Sequence, residues 1–350
     1  KGEQEHWWRS YFRSAGCSWQ EKRVAPEQYI LSDVASCRAF VSSVGGGAAG
    51  SHATRQVAAV PTPVSTVATW LTKPLSASHG RGIAIHTPGE AVGLVRGQSG
   101  NCTRPVDSVI MQYVDSPALI KGHKFGLRTY FLVASLEPTL VFYHEGYAAR
   151  SDTPFVAAQP GAPGRDRRKD ASYYKAHVTN AEGQVATFYS LKSLRQHLSN
   201  EFVDAFSVYA PKITAAIARA GISFSTTARA PHTLSPSSFN FFAIDWVVER
   251  RGDAYRPHFL ELNAFPMMIE YKDAELTPAI YHDTIDLLLQ CQQDYLQFAG
   301  AEIGHRFRRY ELVVNGMADV SMPYNACTAV PTWEEHVRAS SGQGNANAPK

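Results

Sequence analysis

FAIDWVVERRGDAYRPHFLELN, residues 242–263, predicts a single β-hairpin and decides the fold. Both ends of this stretch are rich in apolar and aromatic residues, and its only polar, turn-forming break is 249–254. In an antiparallel hairpin, the numbers of opposed residues add to a constant. A turn centred on position 253 therefore predicts that Asp245 faces Glu261.

The same hairpin predicts a metal site. Side chains alternate between the two faces of a strand, so Phe259, Glu261 and Asn263 are expected to share one face. Opposed Cβ atoms lie about 4.5–5.5 Å apart, and Mg²⁺ prefers one or two carboxylates together with phosphate oxygens. The apolar flanks predict a buried pair of like charges, which needs a cation. Asp245, Glu261 and Asn263 are thus candidate Mg²⁺ ligands; an ordinary acidic pair on a surface hairpin is the alternative.

The composition narrows the class of protein. The 350 residues suffice for one large or two medium domains, and a hydrophobic content of 44% allows a sizeable core. A net charge of +3 argues against nucleic-acid binding by bulk charge. No apolar run approaches the roughly eighteen residues of a membrane span, and no signal peptide is visible. We therefore expect neither a nucleic-acid nor a membrane partner.

The cysteines predict a compartment. They are odd in number and scattered without metal-type spacing, which indicates a reducing, intracellular environment. The five positions are Cys17, Cys37, Cys102, Cys291 and Cys327.

The organisation along the chain is uneven and predicts an α+β fold with a largely antiparallel sheet. A glycine-rich break covers residues 45–51, and a loop rich in Pro, Gly and Arg covers 157–170. A helix is expected over 202–220, bent or split at Pro211 and stopped by Gly221, and another from Thr277 to about Phe298. The end, 336–350, is small and polar, which predicts disorder. Strands are expected at 69–73, 82–86, 108–114, 127–134 and 139–144.

Three upstream segments carry polar groups suited to phosphates. Lys73-Pro74 precedes a loop of small residues, 76–83, whose backbone amides are able to approach phosphates. Lys124 and Arg128 flank the start of a strand, and 177–180 is a short polar cluster. Each segment alone is equally consistent with solvated charges or an ordinary turn.

Together with the hairpin, these segments resemble the tubulin tyrosine ligase-like family in the correct order from about residue 69 to 290. The matching pieces are Trp70–Pro74, Arg81–Ile83, Tyr113–Tyr130, Tyr143–Gly146, His177–Asn180, Phe239–Asp245 and Leu260–Asn263. The resemblance implies an ATP-grasp fold, with largely antiparallel sheets and flanking helices. It also implies three regions: an N-terminal segment (1–60), a catalytic domain (61–300) and a C-terminal extension with a disordered end (301–350).

The resemblance further implies a role for each matched polar residue. Residues 110–114 would form the hinge that contacts adenine, and Arg128 would face the γ-phosphate and the developing acyl-phosphate. Lys73, Arg128 and Glu261 would carry catalysis, and Asp245 and Asn263 would complete the Mg²⁺ site. The residues implied to contact ATP are Lys73, His79, Gly80, Gly82, Gln112, Tyr113, Val114, Lys124, Arg128, His177, Thr179 and Asn180.

Several positions depart from the family's pattern. The family usually has Arg or Lys at His79, Asp at Gly126 and Arg at Ala149, and it has Gln-Lys where this chain has Met111-Gln112. The family's Phe-Glu-Leu also becomes Phe-Asn-Phe at residues 239–241. The metal triad is intact. A divergent active ligase is therefore expected, with a pseudoenzyme that binds microtubules or an axonemal partner as the alternative.

The activity implied by the resemblance is an ATP- and Mg²⁺-dependent ligase acting as a monomer. It would join a free amino acid, namely glutamate, glycine or tyrosine, to a carboxylate on tubulin C-terminal tails or microtubules. The basic cluster Arg165–Lys169 suits an acidic tail; a solvated loop is equally consistent. The implied location is the cytoplasm and cytoskeleton, including a cilium, flagellum or basal body. A ligase acting on small molecules or on another protein stays open, whereas a protein kinase is disfavoured because its triplets are missing.

Overall fold

The computed structural model describes most of the chain. The described residues are 24–45, 69–77, 80–96, 102, 106–157, 171–179, 185–227, 239–264, 266, 276–298, 300–316 and 330–340. Several predictions fall outside them: most of the glycine break, the basic cluster Arg165–Lys169, and residues 341–350 of the predicted tail.

The described chain mixes helices and strands, and strands of two to fourteen residues dominate its middle. In chain order they are β1 (Gln28–Ile30), α1 (Val34–Gly45), β2 (Trp70–Pro74), β3 (Ala84–His86), α2 (Pro88–Arg96), β4 (Ser108–Gln112), β5 (Leu119–Ile120), β6 (His123–Leu136), β7 (Thr139–Arg150), α3 (Ala171–His177), β8 (Thr187–Tyr189), α4 (Asn200–Thr227), β9 (Asn240–Arg251), β10 (Ala254–Ala264), α5 (Leu276–Gln293), β11 (Arg306–Phe307), β12 (Tyr310–Asn315) and α6 (Trp333–Ser340).

The strands form two antiparallel sheets. A four-stranded sheet has the order β1-β4-β2-β3, and an eight-stranded sheet has the order β10-β9-β6-β7-β12-β11, with β5 beside β6 and β8 beside β7. All five strands expected from the sequence are present as β2, β3, β4, β6 and β7. The predicted α+β class with largely antiparallel sheets is confirmed. The domain limits stay a prediction, although β1 and β12 add strands to the two sheets from outside residues 61–300.

The predicted hairpin is β9–β10, and Asp245 is paired with Glu261 as expected. The numbers of paired residues do not keep one constant sum along the hairpin, however, because the register shifts between Phe259 and Glu261. Leu260 is the extra residue of this β-bulge. The expectation that Phe259 shares a face with Glu261 is therefore wrong: Phe259 pairs with Trp246, and both are buried in the core.

The main core lies between α4 and one face of the large sheet. Phe206 of α4 meets Trp246 of β9 edge to face, with ring centroids 5.5 Å apart, and both side chains are fully buried. This packing explains why α4 continues through Pro211 and Gly221 to Thr227, against the predicted split and stop. Burial of an apolar helix face outweighs the local penalties of Pro and Gly.

The C-terminal end is partly ordered, contrary to the prediction of disorder from residue 336. Helix α6 covers Trp333–Ser340 and begins with a capping box, in which Thr332 and Glu335 exchange backbone–side-chain hydrogen bonds of 2.7 and 3.1 Å. Trp333 then anchors the helix by donating from Nε1 to the carbonyl of Tyr255 at 2.8 Å. The predicted helix from Thr277 is confirmed as α5, followed by a 3₁₀ turn at Tyr295–Phe298.

A disulfide joins Cys37 of α1 to Cys102, which the scattered spacing of the cysteines did not predict. Both residues are buried in the cluster that packs against the small sheet. Disulfides are uncommon in reducing compartments, so this bond runs against the reducing, intracellular environment predicted from the cysteines. Within the described part of the chain, no helix has the length and apolar character needed to cross a membrane.

Candidate active site

A cavity of about 620 Å³ lies between the small sheet and the large sheet. It brings together most of the residues predicted from the sequence: Lys73, Gly80, Gln112, Tyr113, Val114, Lys124, Arg128, His177, Thr179, Asp245, Glu261 and Asn263. His79 and Asn180 lie outside the described residues. Gly82 does not line the cavity, and its contact with ATP stays a prediction; an added Cβ there would lie 2.7 Å from Cγ of Pro74.

The centre of the cavity holds a two-pronged ion pair between neighbouring strands. Arg128 on β6 is paired in register with Asp245 on β9. Its Nε and Nη2 donate to the two carboxylate oxygens, each at 2.7 Å. Burial alone would lower the pKa of Arg128, but the charge and hydrogen bonds of Asp245 outweigh burial and raise that pKa well above its ordinary value. Arg128 is therefore a permanent cation at this point.

A second ion pair joins the two sheets across the cavity. Lys73 at the end of β2 lies 3.7 Å from Glu261 on β10, and both side chains are largely shielded from solvent. Asn263 donates from Nδ2 to the carboxylate of Asp245 at 2.9 Å. Two cations suited to phosphates thus face two carboxylates and an amide suited to a metal.

The donor set fits Mg²⁺. Asp245 and Glu261 are directly opposed, and Asn263 hydrogen-bonds to Asp245, so three oxygen-bearing side chains converge on one part of the cavity. Among the residues that the structure describes, no group of three or more His, Cys, Asp or Glu side chains is arranged to hold a metal. A site with two carboxylates and an amide relies on phosphate oxygens for its remaining ligands, as Mg²⁺ sites commonly do. When phosphates bind, Lys73 and Arg128 would exchange their carboxylate partners for phosphate oxygens. Asp245, Glu261 and Asn263 would then hold the ion.

Gly146 sets the position of Arg128. The register between β6 and β7 shifts beside Arg128, and Gly146 occupies the resulting bulge with φ of 63°. An added Cβ there would lie 1.9 Å from the carbonyl oxygen of Arg128. Only glycine permits the two strands to approach this closely.

Lys124 is held deep in the hinge side of the cavity. Its Nζ donates to the hydroxyl of Tyr113 at 3.0 Å and to the carbonyl of His177 at 2.9 Å. The Tyr113 hydroxyl also lies 2.7 Å from Nδ1 of His177. Burial and the nearby charge of Lys73 lower the pKa of Lys124 to about 7. An incoming anion would favour its charged form.

The lowered pKa of Lys124 predicts proton uptake on nucleotide binding. In the free protein Lys124 is mostly charged at pH 6 and mostly neutral at pH 8, because its pKa is about 7. Bound ATP would favour the charged form, so the affinity of the site for ATP should fall about fivefold between pH 7 and pH 8. Calorimetry in two buffers of different ionisation enthalpy would measure the proton uptake. Lys124→Met should lose this pH dependence of the affinity for ATP. A Met variant that keeps the pH dependence would contradict its assignment to Lys124.

The glycine loop is tied to the helix that carries His177. Tyr174 in α3 donates a hydrogen bond to the carbonyl of Gly80. Gly126, where the family pattern has Asp, lies under Thr179: an added Cβ would be 3.3 Å from the hydroxyl oxygen. The hydroxyl of Thr179 therefore occupies the space next to Gly126.

The apolar walls of the cavity were not predicted from the sequence. Leu71, Met111, Val247 and Leu260 line it on the hinge side, and Tyr147, Ala149, Ala186 and Phe188 line it beyond Arg128. Tyr147 follows the matched Glu145-Gly146 and pairs with Arg128, so strand alternation was a usable signal for it. Phe188 has no local signal, since only pairing of β8 with β7 brings it there.

Comparisons with known proteins agree with this geometry. The profile of the Tubulin-tyrosine ligase family matches residues 51–297. Protein polyglycylase TTLL10 of Macaca fascicularis is 21% identical over 289 residues, which cover 72% of this chain and 43% of the relative. Inactive polyglycylase TTLL10 of Homo sapiens is 21% identical, with 75% and 41% covered. Tubulin monoglycylase TTLL3 of Mus musculus is 26% identical, with 64% and 24% covered.

This chain spans about two fifths of the length of the TTLL10 relatives. The family match covers well over half of the chain and contains the paired carboxylates, Lys73, Lys124 and Arg128. The two antiparallel sheets with a cavity between them are the ATP-grasp arrangement that the resemblance implied. The chain belongs to the tubulin-tyrosine ligase family, as a divergent member.

Proposed function

We propose that the protein is an ATP- and Mg²⁺-dependent ligase that joins an amino acid to a protein carboxylate on tubulin tails. The observation that carries the proposal is the pairing inside the cavity: Arg128 with Asp245, and Lys73 with Glu261. Two cations suited to phosphates and two carboxylates suited to a metal lie in one site, and their charges neutralise each other in the free protein. Relatives whose names include tubulin monoglycylase support tubulin as the acceptor.

The residues supply positioning and charge neutralisation. The acceptor carboxylate attacks the γ-phosphorus of ATP, forming an acyl-phosphate and releasing ADP. The amine of the amino acid then attacks the carbonyl carbon, inorganic phosphate leaves, and the amine releases a proton to solvent. Lys73 and Arg128 offset the negative charge that builds during phosphoryl transfer. Bound Mg²⁺ would add charge neutralisation at the phosphates. Holding the reactants close together in the reactive orientation also lowers the activation barrier.

Nucleotide binding is the first test of this proposal. A competent site stabilises the protein by RT ln(1 + [L]/Kd), which is about 2.7 kcal/mol at a hundredfold excess over Kd. For a chain of this size, that amount raises the melting temperature by about 4 °C. Thermal unfolding with ATP and Mg²⁺ measures it, with ATP alone as the control. The absence of any shift at millimolar ATP would reject the proposal.

The second candidate is a pseudoenzyme that binds microtubules or an axonemal partner. It is supported by the human relative named Inactive polyglycylase TTLL10 and by the departures at His79, Gly126 and Ala149. ADP release in the presence of a tubulin-tail peptide and amino acids separates the two candidates. The ligase is expected to release one ADP for each amide bond, whereas the pseudoenzyme releases none.

A further inference from the structure

We infer that the amino acid used by this site carries an uncharged, apolar side chain, which binds in an aromatic slot beside Arg128. The aromatic slot consists of Tyr147, Ala149, Ala186 and Phe188, all of which line the cavity. The inference rests on the proposed ligase function and names the class of its amino-acid substrate.

The sheet places the slot next to the reacting centre. Arg128 on β6 has Asp245 of β9 on one side and Tyr147 of β7 on the other. Asp245 of the candidate metal site therefore lies on one side of Arg128, and Tyr147 of the slot lies on the other. An amine whose side chain sits in the slot would lie beside the place where Arg128 faces an acyl-phosphate.

The walls of the slot are aromatic or aliphatic, apart from the hydroxyl of Tyr147. Phe188 meets the ring of Tyr147 edge to face, with centroids 5.1 Å apart. Ala149 pairs with Phe188 on β8, and both residues line the cavity. Both residues pack against the buried cluster of Tyr130, Tyr147, Ala243 and Ile280, which fixes the rings in place. A rigid aromatic corner of this kind suits an apolar group.

The charges of the cavity lie elsewhere. Of the four described cations that line it, Lys73 and Arg128 face carboxylates, Lys124 is bonded on the hinge side, and Arg81 belongs to the glycine loop. None of the four slot residues is charged. Arg128 borders the slot but is already paired with Asp245, so a glutamate side chain would lose its water against aromatic rings without a free counter-charge. Glycine would leave the slot to water.

Equilibrium binding tests the inference without requiring turnover. The protein is saturated with Mg²⁺ and a non-hydrolysable ATP analogue, and phenylalanine, glycine and glutamate are titrated in turn by calorimetry. We expect phenylalanine to bind at least about tenfold more tightly than glutamate, with glycine between them. Phe188→Ala should weaken phenylalanine binding about tenfold. Glutamate binding as tightly as phenylalanine, or no binding by any of the three, would overturn the inference.

A charge placed in the slot should reverse the order. Ala149→Arg introduces a guanidinium among the slot residues, so glutamate should then bind more tightly than phenylalanine. The matched control is Ala339→Arg, at an exposed position of α6, which should leave the native order unchanged. An Ala149→Arg protein that still prefers phenylalanine would contradict the slot. The thermal shift with ATP tests the ligase proposal separately. A protein that shows this shift but ligates glutamate would contradict the slot and leave the ligase proposal intact.

Discussion

Glu261→Gln is expected to lower ATP-dependent ligation by about a thousandfold while the protein stays folded. Gln keeps the shape of Glu but removes the charge that faces Lys73 and that would hold the metal. Loss of one such electrostatic group commonly lowers turnover by about two to three orders of magnitude. Glu261 retains partial exposure at a cavity wall, so the substitution should change the melting temperature little.

The measurement is single-turnover ADP release together with thermal unfolding. Glu302→Gln, at an exposed position outside the cavity, is the matched control and should retain full turnover. A folded Glu261→Gln protein with normal turnover would overturn the assignment of the paired carboxylates to the metal.

Gly146→Ala is expected to have the largest effect on stability. The new Cβ would lie 1.9 Å from the carbonyl oxygen of Arg128 and 3.0 Å from Cα of Thr129, so β6 and β7 must separate. The left-handed φ of 63° adds a conformational penalty for any side chain. Together these effects should destabilise the protein by about 3–5 kcal/mol. They should also displace Arg128 from Asp245 and abolish turnover.

Gly252→Ala is a matched control for backbone strain alone. Gly252 has a similar φ of 60°, but nothing lies within 4 Å of an added Cβ. Its substitution should destabilise the protein by about 1–2 kcal/mol. Equal losses of stability for the two variants in urea unfolding would contradict the prediction, because the contact between Gly146 and the carbonyl of Arg128 would then add nothing to backbone strain.

Much of the hairpin was predictable because its signals are local. Alternation and the turn at 249–254 were enough to pair Asp245 with Glu261. The bulge at Leu260 was not predictable, since the alternation of the strand does not mark it; in the structure, Phe259 and Trp246 beside it lie in the core cluster with residues of α4. The capping box Thr332–Glu335 was a local signal for α6 that the small, polar composition of the tail obscured.

The cavity was only partly predictable, because its contacts join distant strands. Lys73, Arg128 and Asp245 were named from separate segments, yet their ion pairing requires the order of β9, β6 and the small sheet. The role of Gly146 appears only when the register of β6 and β7 is known. The disulfide between Cys37 and Cys102 likewise joins residues 65 apart in sequence, and no spacing rule points to it.

The central claim is that this cavity makes an amide bond at the expense of ATP. Mass spectrometry of tubulin after incubation with the protein, ATP, Mg²⁺ and each candidate amino acid tests it most directly. We predict mass increases equal to whole amino-acid residues on a tubulin tail, dependent on both ATP and Mg²⁺ and absent with Glu261→Gln. Unmodified tubulin with every amino acid, from a protein that ATP and Mg²⁺ stabilise, would contradict the claim and leave a nucleotide-binding pseudoenzyme.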